Sequence, residues 1–165
     1  MGMVFKYLRY YKYLLKHKAW VFYYCFKLGI PFRGLFHDLS KFLPYEAYHY
    51  ANATFGPGRT VNYGLKNGMP DLEKIESTEF YRAVVRHKLR NSHHWESWTW
   101  GSGKNSYKME MDRGSLLEMI ADWKSANKMH KDFPSSLEWY KVNKDKIILH
   151  KKTRRLVEFL LKKDI

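Results

Sequence analysis

Histidine and aspartate side chains, spread over most of the chain, are the residues of this sequence best suited to chemistry. They are His17, His37, Asp38, His87, His93, His94 and Asp122. Imidazole and carboxylate groups together suit Mn, Fe, Co, Ni or Zn better than the all-oxygen donor sets that Ca and Mg prefer. The sequence therefore predicts ligands for one or two divalent transition metals.

The charge of the chain is strongly positive. Thirty Lys and Arg residues stand against sixteen Asp and Glu residues, which gives a formal net charge of +14. A small protein with this excess has a positive surface potential, so its partner is expected to be anionic. Composition does not choose between a nucleotide, another phosphate ester, a nucleic acid and an acidic membrane surface.

Length and cysteine content favour one intracellular domain. The 165 residues, 45% of them hydrophobic, can bury one substantial core. We expect a single domain over residues 1–165, with the motifs in a core of about 10–130 and basic helices over 135–165. The only cysteine, Cys25, cannot form an intramolecular disulfide, which fits a reducing cytoplasmic compartment.

The apolar, aromatic segment 4–28 could be mistaken for a membrane span. Basic residues interrupt it well before the roughly 20 apolar residues that a span needs. These are Lys6, Arg9, Lys12, Lys16, Lys18 and Lys27. We predict an amphipathic helix of a globular protein and no transmembrane segment, with binding to a membrane surface as the alternative.

Helical periodicity in the first third of the chain indicates how the candidate ligands are positioned. Apolar residues and His17 recur every three or four positions before Gly29, which predicts one helix with His17 facing the core. Pro31 can begin a short second helix and Pro44 a third that runs to about Ala53. The His37-Asp38 pair then lies at or near a helix end.

The rest of the chain continues this pattern. Residues 52–74 are rich in Gly and Pro and read as a loop, whereas 72–91 have helical spacing with His87 on the apolar face. Residues 92–113 are irregular and rich in Trp, and we expect them to close over a pocket. Helices are predicted over 114–129, from Ser135 onward and over 147–163. Without convincing strands, the fold is expected to be a single all-α bundle of about six helices.

A single histidine on an apolar helix face is more often a hydrogen-bonded core residue than a ligand. The joint pattern argues otherwise here, because inward-facing His and Asp residues on several elements would bury many polar groups together. Such burial costs on the order of several kcal/mol unless the groups are paired or bind a metal.

At this point the chain resembles the HD-domain superfamily of metal-dependent phosphohydrolases. The pattern of that all-helical family is an isolated His, then His-Asp, then a distant Asp, matched here by His17, His37-Asp38 and Asp122. In members with two metals, further histidines between the His-Asp pair and the last Asp bind the second ion. The resemblance covers about residues 10–130.

The resemblance also implies roles for the candidate residues. His17, His37, Asp38 and Asp122 would hold a first metal, and Asp38 would bridge to a second one held by His87 and by His93 or His94. Lys41 would clamp a substrate phosphate or remain a solvated surface lysine. Glu118, one turn before Asp122, would orient a ligand, shuttle a proton or stay a surface carboxylate. Asn91 would bind phosphate or end its helix. Glu46 and His49 on the third helix could support a ligand, although a solvated face is more typical of them.

Three short runs make the chain look closest to small, uncharacterised bacterial and phage relatives within that superfamily. The runs are His-Asp-Leu-Ser-Lys at 37–41, Asn-Ser-His-His-Trp at 91–95 and Glu-Met-Ile-Ala-Asp-Trp at 118–123. The first run is similar to that of the cyclic-dinucleotide phosphodiesterases. The residues after His93-His94 depart from their pattern, so that specificity is not implied.

Two functions from different classes follow. The first is a metal-dependent phosphohydrolase that acts on a nucleotide or another small phosphate ester, with metal-activated water as the nucleophile. The alternative is a basic nucleic-acid-binding protein whose metal site is structural or degenerate. The sequence does not predict the oligomeric state.

Overall fold

Seven α-helices form the part of the chain described by the computed structural model, which comprises residues 2–56, 78–101, 106–130 and 134–163. They are α1 (Gly2–Lys27), α2 (Pro31–Phe36), α3 (Pro44–Phe55), α4 (Thr78–Arg90), α5 (Arg113–His130), α6 (Ser136–Asn143) and α7 (Lys151–Lys162). Two short 3-10 helices cover Leu39–Phe42 and Trp95–Trp98. The predicted all-α class is confirmed.

The long helix α1 is the element around which the candidate site is built. It packs against α2, α3 and α5. Its buried stripe contains Leu14, His17 and Val21, as helical periodicity predicts. The side chain of Cys25 is also buried on α1, and this burial raises the pKa of its thiol to about 12. Cys25 is therefore a packing residue and not a thiolate nucleophile.

The corner that follows α1 places α2 very close to it. Gly29 has a φ of +76°, in the left-handed region where glycine is favoured, and Pro31 occupies the first turn of α2. A Cβ at Gly34 would lie only 2.7 Å from the Cβ of Cys25. The absence of a side chain at Gly34 therefore lets the two helices make close contact.

Three groups of buried apolar residues hold the fold together. One joins α1, α3 and α4 and includes Tyr10, Tyr50 and Phe80. A second, in the C-terminal half, packs α5, α6 and α7 together with residues 147–149. A small third group, Val21, Cys25 and Ala121, joins α1 to α5. The candidate site lies where α1, α3, α4 and α5 meet.

Several predicted boundaries shift. Helix α3 continues to Phe55, so residues 52–55 belong to it and not to the predicted loop, whose remainder after 56 falls outside the described residues. Helix α4 is described from Thr78, and 72–77 are not described. The prediction that the last helix begins at Ile147 is wrong, because His150 accepts a hydrogen bond from the backbone N–H of Lys152 and caps α7 there.

The irregular, Trp-rich segment contains a small antiparallel hairpin, with β1 (Thr99–Trp100) paired to β2 (Tyr107–Lys108). Each strand has only two residues, which is too short for an alternating pattern to be detected in the sequence. Within the described ranges, no helix is long and apolar enough to cross a membrane.

Candidate metal centre

The candidate ligands come from five separate parts of the chain and converge on one buried cluster. His17 is on α1, His37-Asp38 follows α2, His87 is on α4, His93-His94 follow α4, and Asp122 is on α5. Searching the described residues gives three groups whose donor atoms lie within 4.8 Å of one another. Every residue that we predicted as a metal ligand belongs to at least one of these groups. We refer to these seven residues as the His–Asp cluster.

The first group contains His17, His37 and Asp122. Nε2 of His17 lies 3.0 Å from Oδ1 of Asp122, and Nε2 of His37 lies 3.8 Å from the same oxygen. His17 and His37 are almost fully buried, and the side chain of Asp122 is 19% exposed. This geometry brings two imidazole nitrogens to one carboxylate, as the sequence pattern predicts.

Asp38 lies at the centre of the second group, with His87, His93 and His94. Its Oδ1 is 3.2 Å from Nε2 of His87 and 3.3 Å from Nε2 of His93, and its Oδ2 is 3.3 Å from Nε2 of His37. The Asp38 carboxylate thus lies between the two groups. His93 and His94, between which the sequence does not choose, both belong to the second group.

The backbone at Asp38 explains how one carboxylate reaches both groups. Helix α2 ends at Phe36, and Asp38 adopts φ 53° and ψ 29°, the left-handed conformation. Among residues other than glycine, only Asn and Asp adopt this conformation routinely. The chain reverses there and turns the Asp38 side chain inward, where it is only 3% exposed.

Carboxylates outside the cluster hold several of the imidazoles in orientation. Oε1 of Glu118 lies 3.0 Å from Nδ1 of His37 and 3.3 Å from Nδ1 of His93. Oε2 of Glu46 lies 2.9 Å from Nδ1 of His87. A carboxylate that accepts a hydrogen bond from Nδ1–H leaves Nε2 as the free donor atom, which is how metal-binding histidines are oriented.

Four ring nitrogens of the cluster have no hydrogen-bond partner of good geometry within the described residues. Among buried side-chain polar atoms of the described residues, those without a partner are Nε2 of His37, His87, His93 and His94, Oδ1 of Asp38 and Oε2 of Glu96. Only the last lies outside the cluster, and the other oxygen of Glu96 is paired with Lys88. Buried polar atoms without a partner are rare, and a concentration of them calls for a ligand.

The pKa values of two neighbouring histidines of the cluster, His93 and His94, are shifted in opposite directions. Burial favours the neutral form of His93, but the carboxylates of Asp38 and Glu118 beside its two ring nitrogens outweigh it and raise its pKa to about 10. Burial and the neighbouring His93 and His87 hold the pKa of His94 well below its usual value. Burial opposes ionisation of Glu118, yet hydrogen bonds from His37 and His93 lower its pKa to about 2. Contact with the cluster thus keeps the Glu118 carboxylate ionised.

The two predicted substrate-binding residues have different surroundings. Nζ of Lys41 lies 2.7 Å from Oδ2 of Asp38, and its side chain is only 18% exposed, so Lys41 is not a solvated surface lysine. The amide of Asn91 donates to the backbone oxygen of His87 at 2.7 Å, which helps to end α4. Phosphate contacts by Lys41 and Asn91 stay predictions.

The burial of Glu46 contradicts its predicted place on a solvated face, and the burial of Glu118 excludes its predicted alternative as a surface carboxylate. Glu46 is 4% exposed and bound to His87 and Ser40, so the expected solvated face is wrong. The signal was present, because Glu46 is four residues before Tyr50 and shares its buried face. Glu118 is also buried, at 6% exposure, and is not a surface carboxylate.

Two further contacts, one with His17 and one with Glu118, were not predicted from the sequence. The hydroxyl of Ser125 lies 3.1 Å from Nδ1 of His17, and Nη1 of Arg33 donates to Oε2 of Glu118 at 3.1 Å. No pattern marks a single Ser or Arg for such a role.

An open cavity of about 330 Å³ lies beside the cluster. Asp38, His93 and Glu118 form part of its wall, together with residues of α2 and residues 90–92. The cluster is therefore buried but borders a space that a small molecule can enter. Of the described residues of the Trp-rich segment predicted to close over a pocket, only Ser92 and His93 belong to this wall.

Comparison with known proteins places the chain in a family. The sequence pattern of a family described as a family of unknown function, DUF5662, matches residues 6–163. The chain belongs to DUF5662. Neither the search of curated proteins nor the search of solved structures found a match. The matched region of this DUF5662 protein includes every residue of the His–Asp cluster.

Proposed function

We propose that this protein is a metal-dependent phosphohydrolase of the HD type that acts on a nucleotide or another small phosphate ester. The observation that carries the proposal is the set of four buried histidine nitrogens, together with Oδ1 of Asp38, that have no hydrogen-bond partner. Leaving such atoms unpaired costs about 1–3 kcal/mol each, and metal coordination removes that cost.

The donor set fits one or two divalent transition metals. His17, His37, Asp38 and Asp122 would hold one ion, and Asp38 would share a second with His87, His93 and His94. Imidazole nitrogen and carboxylate oxygen together favour Mn, Fe, Co, Ni or Zn. A divalent ion bound there would lower the pKa of coordinated water and neutralise charge on a phosphoryl oxygen.

The chain's own residues supply orientation and charge. Glu118 and Glu46 accept hydrogen bonds from Nδ1 of their histidines and so keep Nε2 directed inward. Lys41, held against Asp38, adds positive charge beside the carboxylate that links the two groups. The net charge of +14 favours the approach of an anionic substrate.

Hydrolysis assays on protein of defined metal content test the proposal. Protein stripped with chelator and reloaded with Mn, Fe, Co, Ni or Zn in turn would be assayed with p-nitrophenyl phosphate and bis-p-nitrophenyl phosphate. We expect hydrolysis with at least one metal, and its loss in Asp38→Asn, which keeps the residue's shape and its tolerance of the left-handed conformation.

A matched control is available in Asp145→Asn, which makes the same chemical change at an exposed position in the C-terminal half. This variant should keep wild-type activity. Equal activity of Asp38→Asn and wild type would overturn the proposal.

The alternative, a nucleic-acid-binding protein, is supported by exposed basic residues on α7, among them Lys151, Lys152 and Arg155. It predicts binding to DNA or RNA that persists in chelator and weakens steeply with salt, because phosphate contacts release counterions. Lack of binding at about 50 mM salt, where phosphate contacts are strong, would eliminate it.

A further inference from the structure

We propose that the cavity beside the His–Asp cluster is a nucleotide pocket, in which Phe32 and Phe36 bind the base and Arg33 and Arg90 bind the phosphate end. The inference rests on the proposed phosphohydrolase function and narrows its substrate class. All four side chains line the cavity that also reaches Asp38, His93 and Glu118. The cavity therefore joins an aromatic wall, two cations and the candidate metal centre.

The aromatic wall is unusually exposed for residues of this type. Phe32 is 75% exposed and Phe36 is 63% exposed. They are four residues apart on α2, so both side chains lie on the same side of the helix. Exposed aromatic rings beside a cationic surface provide stacking platforms for bases, because every base has a flat π face. Their position on the cavity wall points to a planar aromatic group as the ligand.

The two arginines differ in how they are held. Arg33 lies between two carboxylates, at 3.1 Å from Oε2 of Glu118 and 3.5 Å from Oδ1 of Asp112. Arg90 is the last residue of α4, is exposed, and has no carboxylate partner among the described residues. Arg90 can therefore turn its guanidinium to a phosphate, which it matches in geometry.

The start of α5 makes room for Arg33. A Cβ at Gly114 would lie 2.5 Å from Nε and 2.9 Å from Cζ of Arg33. The guanidinium thus lies directly against the backbone of Gly114, and a side chain at 114 would force Arg33 to shift. Arg33 contacts Glu118, which in turn contacts His37 and His93. Polar contacts through Glu118 therefore link the pocket wall to the cluster.

The size of the cavity agrees with this assignment. Its volume of about 330 Å³ lies at the lower end of the range of about 300–1,000 Å³ for small-molecule sites. Asn91 and Ser92 add polar groups to the cavity wall. A mononucleotide has a group to match each part of this wall: a flat base for the phenylalanines, sugar hydroxyls for the polar groups and a phosphate for the arginines.

Equilibrium binding tests the pocket without relying on catalysis. The probe is a 2-aminopurine nucleoside with a 5′-phosphonate, which cannot be hydrolysed at that position and loses fluorescence when its base stacks. We expect quenching on binding to the protein as purified, and displacement by inorganic phosphate. The double variant Phe32→Ala/Phe36→Ala should bind the probe about tenfold more weakly, with its affinity for inorganic phosphate unchanged.

Phe26→Ala is the matched control, because Phe26 is 66% exposed on α1 and does not line the cavity. It should bind the probe as wild type does. Probe affinity in the double variant equal to that of wild type would overturn the pocket.

A kinetic comparison separates the pocket from the function on which it rests. Wild type should hydrolyse a nucleoside 5′-monophosphate with a kcat/KM about tenfold above that for ribose 5-phosphate, which lacks the base. The double phenylalanine variant should remove this preference. Equal hydrolysis of both esters by wild type would overturn the pocket and leave the phosphohydrolase standing. Binding that depends on the phenylalanines, with no hydrolysis of any ester, would overturn the proposed function.

Discussion

The His–Asp cluster and the C-terminal core are both largely buried, but their buried polar groups differ in whether they have hydrogen-bond partners. In the C-terminal core, Tyr140 accepts from Arg154 and donates to Glu158, and Thr153 accepts from the backbone N–H of Met111. In the cluster, four imidazole nitrogens and one carboxylate oxygen face one another with no hydrogen-bond partner.

The difference separates a region whose buried polar groups are paired within the protein from one whose buried polar atoms could hold a metal ion. Apolar burial with satisfied hydrogen bonds lowers the free energy of the folded state directly. A cluster of unpaired polar atoms opposes folding until something binds it. The substitutions and pH changes below test this contrast, in order of decreasing expected effect on metal affinity.

The largest effect should come from Asp38→Asn. The Asp38 carboxylate lies between the two ligand groups, and we propose it as a ligand of both metals, so the substitution removes one ligand from each metal. Because loss of a group that only supports a ligand already costs about 10–100-fold, we expect metal affinity to fall by more than about a hundredfold. Competition with a fluorescent chelator measures it, with Asp145→Asn as the control. Retention of wild-type affinity would remove Asp38 from the ligand set.

Glu118→Gln should have the next largest effect. Its carboxylate orients His37 and His93 through their Nδ1 atoms and is not itself at the centre of the cluster. We expect a loss of metal affinity of about 10–100-fold with unchanged stoichiometry. The control is Glu79→Gln, since Glu79 is 53% exposed and forms its ion pair with Arg82. A changed stoichiometry would show that Glu118 is a ligand.

The pH dependence of metal binding should be strong above neutrality. Burial lowers the pKa of His93, but the adjacent carboxylates of Asp38 and Glu118 outweigh it and raise the pKa to about 10, so metal-free His93 carries a proton at pH 7.5. Metal needs the neutral imidazole, so binding releases a proton and affinity rises by up to about tenfold per pH unit. Calorimetry in buffers of different ionisation enthalpy counts the protons. Binding at pH 7.5 without proton release would contradict this.

The metal-free protein should show the opposite trend in stability. The raised pKa of His93 contributes stability that is fully present below about 6.5, the usual value for unfolded His, and is lost as pH rises toward about 10. Thermal unfolding between pH 6 and pH 10, with chelator and with metal, would compare the two trends. A metal-free Tm that increases over this range would count against the assignment.

The smallest effect on metal affinity is expected in the C-terminal core. Ile147→Ala removes a side chain that is 1% exposed and packs with α5, α6 and α7. It should lower the free energy of unfolding by about 2–5 kcal/mol and leave metal affinity and stoichiometry unchanged. Urea denaturation and metal titration of the same sample measure both. Parallel loss of metal affinity would show that the two regions are not separate.

The sequence predicted which His and Asp side chains lie together better than it predicted the residues around them, for a physical reason. Residue type and helical period are local, so His17, His87 and Asp122 could be assigned to inward faces of helices. Glu46 and Arg33 act through contacts with His87 and Glu118, which are 41 and 85 residues away. Such pairs depend on how helices pack, which periodicity does not determine.

The C-terminal helices show the same limit. The repeat of apolar residues predicted a helix from Ile147, but these residues pack against the core before α7 begins at Lys151. Burial alone does not distinguish a helical segment from an extended one when the run is short. The capping hydrogen bond of His150 decides the boundary, and nothing in the sequence marked that residue as a cap.

Elemental analysis of the purified, untagged protein by inductively coupled plasma mass spectrometry tests the central claim most directly, with Asp38→Asn and Asp145→Asn measured in parallel. The cluster predicts one or two equivalents of Mn, Fe, Co, Ni or Zn in wild type and Asp145→Asn, and a loss in Asp38→Asn. No metal in wild type, even after reconstitution with each of these ions, would contradict the assignment of the cluster as a metal centre.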